Sequence, residues 1–426
     1  MVNGTVEKAT SGVDGGVGVR IFNGTDAVYA YTNDTSADNL IRVARTAAAA
    51  MKKASAVKPG GFIDKTVENR HPVRIMPEAV QKREVVPLLR DASESAFGYD
   101  PLITQTNGSY ADTVQHVLIV NSDGCWAEDT RIRTRLLFSA VASSENEKQT
   151  GTFSPGASRG FEFYETLDIK TLAREAAQTA VTMLKADFAP SGRMPVVLDD
   201  GFGGVIFHEA CGHSLEATSI AKGASVFCDK LGQTIAAPIV TAIDDGTMPN
   251  EWGSVNIDDE GETTRRNVLI ENGVLKSYLI DRLNGLKMGM ASTGSSRRES
   301  YKYAPTSRMT NTFICPGASS REEIIASVGY GLYAKKMGGG SVMPATGEFN
   351  FAVVEGYMIR DGKIAEPVRG ATLIGKGSEV IMDIDMISGG TVVLAPGVCG
   401  SISGGVPTNV GQPLLRVREL TVGGKG

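Results

Sequence analysis

Two of the chain's four histidines stand in one six-residue string, His208-Glu209-Ala210-Cys211-Gly212-His213. Imidazole is the commonest metal ligand, and a carboxylate beside it can take a proton from a metal-activated water. These residue types point to a hydrolytic metal centre. Their spacing adds a structural demand. The familiar zinc-protease string sets its histidines four apart, on one face of a regular helix; here they are five apart. At about 100° per residue the second ring falls roughly 140° round from the first, so an ideal helix cannot aim both at one ion. One residue must loop out, as a π-bulge or a kink, and Gly212 offers a flexible backbone for it. The bland alternative is a His-Glu pair on a solvated helix face. The flanks weigh against that. Met194-Pro195-Val196-Val197-Leu198 reads as a short buried strand, and Asp199-Asp200-Gly201 as a turn and helix start. Phe202-Gly203-Gly204-Val205-Ile206-Phe207 then leads straight into His208. A strand, a glycine-rich turn and a ligand-bearing helix can hold a site rigidly.

A catalytic zinc takes three protein ligands and keeps a fourth position for water. His71 precedes a proline in a polar stretch, and His116 begins the apolar run Val117-Leu118-Ile119-Val120; neither has a ligand type at motif spacing, and both read as structural. The third ligand is then a cysteine or a carboxylate. The five cysteines, Cys125, Cys211, Cys228, Cys315 and Cys399, form no CxxC pair and no disulfide ladder. Their odd number fits a reducing compartment. Cys211 lies three residues from His208, near its face, but a bulge that brings His213 round would push it aside. Cys399 sits among small residues in Ala395-Pro396-Gly397-Val398-Cys399-Gly400, where the backbone can carry a thiolate in from far along the chain. The residues alone leave the choice open, since a free cysteine is often an inert core residue.

The remaining pattern supplies the frame. Val17 to Phe22, the turn Asn23-Gly24 and Ala27 to Thr32 predict a hairpin. Ser36 or Asp38 caps an alanine-rich helix over about 39–53, and a second helix is expected over about 84–98. From Leu102 to Phe163 the pattern alternates, punctuated by Asn107-Gly108, Ser122-Asp123-Gly124 and the stretch from Thr150 to Gly160, which predicts antiparallel strands. A long helix over 168–185 puts Leu172, Ala176, Ala180 and Met183 on one face. Composition shifts at Ala189-Pro190-Ser191-Gly192. Beyond it, Val268 to Leu275 and Tyr357 to Ile364 read as hairpins, and a helix at 320–325 has an acidic start, as its dipole favours. The expected fold class is α+β: an N-terminal α/β domain with antiparallel strands and flanking helices, and a C-terminal, mainly antiparallel β domain carrying the metal-binding helix. The expected divisions are 1–83, 84–189 and 190–426.

Length allows two or three domains with ample core. A net charge of −5 argues against broad affinity for nucleic acid or membranes. No N-terminal apolar targeting segment appears, nor a run of about 18 apolar residues that could span a bilayer. The cytoplasm is the expected compartment.

Across nearly its whole length the chain resembles the TldD/PmbA metalloproteases. The resemblance rests on Gly15-Gly16-Val17-Gly18-Val19-Arg20, on His208 to His213 continued by Ser214-Leu215-Glu216, and on Arg308-Met309-Thr310-Asn311-Thr312. It extends over Gly338-Gly339-Gly340, Thr346-Gly347-Glu348-Phe349, Gly370 to Gly375, Val398-Cys399-Gly400 and Val410-Gly411-Gln412-Pro413. The intact histidine string is similar to the TldD side of the family rather than the metal-less PmbA (TldE) side. The resemblance implies zinc on His208, His213 and Cys399, with Glu209 as general base, and hydrolysis of peptide bonds in unfolded or short peptides; no other cofactor is implied. It also implies a metal-less TldE/PmbA-like paralogue as heterodimer partner, or else a homodimer. Two departures stand out. Relatives carry a helix and strand before the Gly-Val-Gly-Val-Arg segment, so the opening of the first domain is expected to be incomplete. Cys211 replaces an expected aliphatic residue and sets a thiol beside the metal. Arg308 and Tyr301 are candidates for stabilising an oxyanion, and the glycine-rich edge at Met337-Gly338-Gly339-Gly340 could admit an extended peptide as an added strand. The competing class, suggested by the family name "modulator of DNA gyrase", is a non-catalytic regulatory binding protein with a structural metal, which would need a site closed by four protein ligands.

Overall fold

Turn chemistry and alternation build the first element. Val17–Asn23 and Asp26–Thr32 pair antiparallel with Asn23 opposite Asp26, and Gly24 takes the positive φ that the tight turn needs. The computed structural model describes residues 1–51, 60–343 and 345–425. Helix α1 (Ala37–Ala50) packs on this hairpin through Val43 and Ala47. The part of the expected helix beyond residue 51 lies outside the described residues.

The next layer is a five-stranded sheet with two helices on it. Its spine is one long hairpin, Ile103–Val120 against Cys125–Ser143, turning at Asn121 to Gly124. The expected turn at Asn107-Gly108 is not one: Gly108 lies mid-strand opposite Phe138. The glycine answers a packing need there, since a Cβ on it would meet the Leu89 side chain of helix α2 (Lys82–Phe97) at 3.0 Å. Thr150 to Phe153 likewise lies in a strand, Lys148–Phe153, rather than a turn. Helix α3 (Ile169–Lys185) starts on Asp168, whose side chain accepts from Thr171 N, and buries Ala173, Ala176, Ala177 and Ala180 against the sheet. These elements share one apolar core, drawn from residues 89–181.

A larger core spans residues 189–422 and lies between two further sheets. Both are mainly antiparallel. The eight-stranded sheet holds Gly192–Leu198 between Tyr330–Met343 and Leu415–Gly423. Tyr330–Met343 pairs with both Gly192–Leu198 and Glu348–Arg360, so five strands close into a ring. In the six-stranded sheet, Val393–Ser401 is an edge strand, paired with Gly404–Gln412. The hairpins expected near Asn272-Gly273 and Asp361-Gly362 form, with positive φ at all four residues. Ser320 and Glu323 make a reciprocal cap on Arg321–Ala326. The architecture is α+β. The far half of the long hairpin meets this C-terminal part through buried charge, with Arg131 bonded to Asp259 at 2.8 Å and to Ile257 O at 2.9 Å.

Candidate metal centre

The site is assembled where the strand Gly192–Leu198 ends. Asp199 there receives the Tyr333 hydroxyl and the Arg321 guanidinium, and Gln412 Nε2 donates to its carbonyl at 3.1 Å. The chain then turns through Gly201–Gly204 against the strand Gly404–Gln412. A Cβ at Gly204 would stand 2.5 Å from Gly411 O, so only glycine permits this approach. That contact places the start of the ligand segment on the strand next to the one carrying Cys399.

From Val205 the backbone runs as one α-turn to Phe207, a π-helix over His208–Gly212 and a 3₁₀ turn over His213–Leu215. The π-turn is the looped-out residue that the five-position spacing demands. It brings the rings of His208 and His213 to 5.0 Å between centroids, at 82° to one another. The expected reason for Gly212 needs correcting. Its φ of −54° is ordinary right-handed helix. What it supplies is room: a Cβ would lie 2.3 Å from Met309 Sδ, and Met309 is buried. Gly212→Ala is therefore expected to destabilise the fold by about 1–3 kcal/mol, the usual cost of overpacking. Thermal unfolding tests this, and an unchanged midpoint would show that Met309 swings aside freely.

Cys399 Sγ lies 3.3 Å from His208 Nε2 and 3.2 Å from His213 Nε2. All three donor atoms fall within 4.8 Å of one another, the one such group among the described residues. Ordinary Zn–N and Zn–S bonds at a tetrahedral angle separate nitrogen from sulfur by about 3.5 Å, so both nitrogen–sulfur separations lie within a few tenths of an ångström of what a shared zinc ion requires. Burial opposes ionisation of the Cys399 thiol, but the adjacent His208 and His213 rings outweigh it and hold Cys399 down at about 3. The thiolate is thus available as a ligand near neutral pH. Burial likewise opposes charging of His213, and Glu216 and Cys399 overcome it, raising His213 well above the usual histidine value.

The outer contacts differ between the two histidines. His213 Nδ1 meets Glu216 Oε2 at 3.1 Å, whereas His208 Nδ1, buried, has no hydrogen-bond partner among the described residues. Glu209 places Oε2 3.6 Å from His213 Nε2 and keeps its side chain 27 % exposed. Sequence reasoning gave Glu216 no role. Its signal was readable, a carboxylate one helical turn beyond a ligand-type histidine.

Cys211 stands apart from the donors. It is buried, directs Sγ toward Gly377 O at 3.8 Å, and burial pushes its thiol up to about 12. The neighbouring thiol expected beside the metal is turned into the core behind the π-helix. Neither oxyanion candidate is free. Arg308 is fully buried and bonded to the Cys399 carbonyl, Ser403 Oγ and Gly404 O. Tyr301 donates its hydroxyl to Asp14, and its carbonyl accepts from the Tyr29 hydroxyl. The remaining histidines are engaged elsewhere. His71 Nδ1 accepts from Asn250 N, and burial pushes this ring down to about 4; His116 Nδ1 meets Thr130 Oγ1 at 3.0 Å.

Comparison with known proteins bears on this geometry. Residues 191–424 match the PmbA/TldA metallopeptidase C-terminal domain, 75–184 the central domain and 1–51 domain 1 of the same family. A metalloprotease TldD homolog of Haemophilus influenzae is 38% identical, over 99% of this chain and 89% of its own length. A metalloprotease of Methanothermobacter thermautotrophicus is 35% identical, over 100% of this chain and 92% of its own. Among solved structures, a proposed modulator of a DNA gyrase from Thermotoga maritima superposes with a TM-score of 0.81 at 22% identity, covering 99% of this chain and 92% of that one. TldE from Thermococcus kodakarensis gives 0.73 at 18% identity, covering 95% and 88%. At that identity the two structures speak for the fold alone. With three family domains matched in order and relatives named as TldD metalloproteases aligned almost end to end, the chain belongs to the PmbA/TldD metalloprotease family and is similar to its TldD members.

Proposed function

We propose that this protein is a zinc peptidase for unfolded or short peptides, with His208, His213 and Cys399 as the ligands and Glu209 as the general base. The observation that carries the reading is the convergence of two imidazole nitrogens and one thiolate from segments far apart in sequence, with a partly exposed carboxylate beside them. A bound zinc ion supplies Lewis acidity, polarising a carbonyl and making a water acidic near neutral pH. The protein's own groups do the rest. Glu209 Oε2 takes the proton of the attacking water and returns it to the departing amine nitrogen. Glu216 holds His213 by Nδ1, which leaves Nε2 directed at the shared point. Cys399 contributes negative charge from a strand whose ladder with Gly404–Gln412 fixes its position.

An extended peptide suits the surroundings. Cys399 lies on a sheet edge, and beyond Ala334 the strand containing Met337-Gly338-Gly339-Gly340 pairs on one side only among the described residues. The latter edge can accept a peptide backbone as an added strand. We further propose a metal-less TldE-like relative as partner, or a second copy of this chain in its absence, in keeping with the resemblance to the TldE fold. The five cysteines are unpaired, which suits a reducing compartment such as the cytoplasm. No helix among the described residues is long and apolar enough to cross a membrane.

The reading as a regulatory binder with a structural metal would need a fourth protein ligand, and three donors gather here. Metal removal separates the two. Dialysis against a chelator is expected to reduce cleavage of an unstructured peptide to background, and one equivalent of zinc to restore it. Cleavage that persists in the zinc-free protein would end the proposal.

A further inference from the structure

Behind the donors, two buried ionic groups face one another. Arg308 has no exposed surface, and Glu216 is 4 % exposed. Arg308 Nε and Glu216 Oε1 have no hydrogen-bond partner among the described residues, and they stand 3.9 Å apart. Each group also reaches a different ligand. Glu216 Oε2 lies 3.1 Å from His213 Nδ1. Arg308 Nη2 donates to the carbonyl of Cys399, while Nη1 donates to Ser403 Oγ and Gly404 O, both at 2.9 Å. A single guanidinium therefore touches the carboxylate behind one ligand and the backbone of another, and it grips the turn that follows Cys399.

Its own backbone is anchored between these parts. Arg308 N donates to Ser295 O at 2.8 Å, Arg297 Nη1 donates to Met309 O at 2.6 Å, and Ser307 Oγ accepts from Thr218 N at 3.0 Å. The segment thus runs directly beside the chain that leaves His213. His208 lacks such a support: its Nδ1 has no hydrogen-bond partner among the described residues.

We propose that Arg308 is a positioning residue, coupling His213 through Glu216 to the strand of Cys399 and so fixing the separation of two donors from distant parts of the chain. The inference rests on the assignment of His208, His213 and Cys399 as ligands. Its physical basis is the guanidinium's planar fork, whose five donors in fixed directions can bind several acceptors at once, as an ammonium cannot. A buried ion pair is a weak source of folding stability because desolvation offsets its attraction. What this pair supplies is geometry.

The test uses the full chain with zinc, and with cobalt(II) replacing zinc. Glu216→Gln and Arg308→Lys are each expected to weaken zinc binding about 10–100-fold in chelator competition, the usual effect of losing an outer-shell partner. Because both act through one strut, the double variant should bind no more weakly than the weaker single variant. The decisive signature is spectroscopic. Glu216→Gln should shift the thiolate-to-cobalt absorption band through His213 on the shared ion and through Arg308, so it should shift the band less in an Arg308→Lys background, where the strut is already broken. If Arg308→Lys fails to fold by circular dichroism, Ser403→Ala, which removes one acceptor of the Arg308 guanidinium, takes its place in both comparisons. An unmoved band in Glu216→Gln, an equal shift in both backgrounds, or losses of affinity that multiply in the double variant, would overturn the coupling. A wild-type cobalt protein lacking any thiolate band would instead overturn the ligand assignment beneath it.

Discussion

Glu209→Gln is expected to lower the cleavage of an unstructured peptide by roughly 10²–10⁴-fold, the range that a positioned general base supplies, while zinc content stays at the wild-type level. The two readouts separate because of where the side chain lies. Glu209 stands 3.6 Å from His213 Nε2 with its carboxylate partly exposed, beside the three donors rather than among them. The amide keeps the size and packing of the carboxylate but cannot accept a proton near neutral pH. Zinc analysis and peptide cleavage on the same preparation settle the outcome. Cleavage at the wild-type rate would remove Glu209 from the chemistry; loss of zinc would instead make it a ligand.

Cys399→Ala is expected to lower zinc affinity by more than the roughly 10–100-fold that loss of an outer-shell partner costs, because an anionic ligand disappears outright. Cys211→Ala should leave zinc binding unchanged. The contrast follows from direction. Cys399 Sγ meets both imidazoles at 3.2 and 3.3 Å, while Cys211 Sγ faces Gly377 O across the core. Burial pushes the Cys211 thiol to about 12, which keeps it protonated and poor as a ligand, whereas Cys399 ionises at about 3. Chelator competition with both variants checks the assignment, and a reversed order of effects would transfer the third ligand to Cys211.

Much of the frame was legible because its causes are local. Asn23-Gly24 between two alternating runs makes a hairpin wherever it occurs, since the turn needs positive φ and the strands need a common register. Asp168 capping a helix with an alanine face is equally local. Asn107-Gly108 carries a similar turn signal and misleads. Its glycine answers the approach of Leu89 from a helix elsewhere in the chain, and that contact leaves no mark in the neighbouring residues. Gly212 misleads in the same way, its conformation being ordinary and its reason the sulfur of Met309.

Spacing alone shows that His208 and His213 cannot share an ion on a regular helix, and hence that a π-turn or kink had to lie between them. That follows from the angular pitch of one helix, a property of adjacent residues. Long-range packing sets the rest: which thiol faces the two rings, that Arg308 lies buried behind the site instead of lining it, and that Glu216 holds His213. Those contacts join residues up to 191 positions apart. No local pattern encodes them, because they exist only once the glycine turn has settled on its strand and the two sheets have closed over the same core.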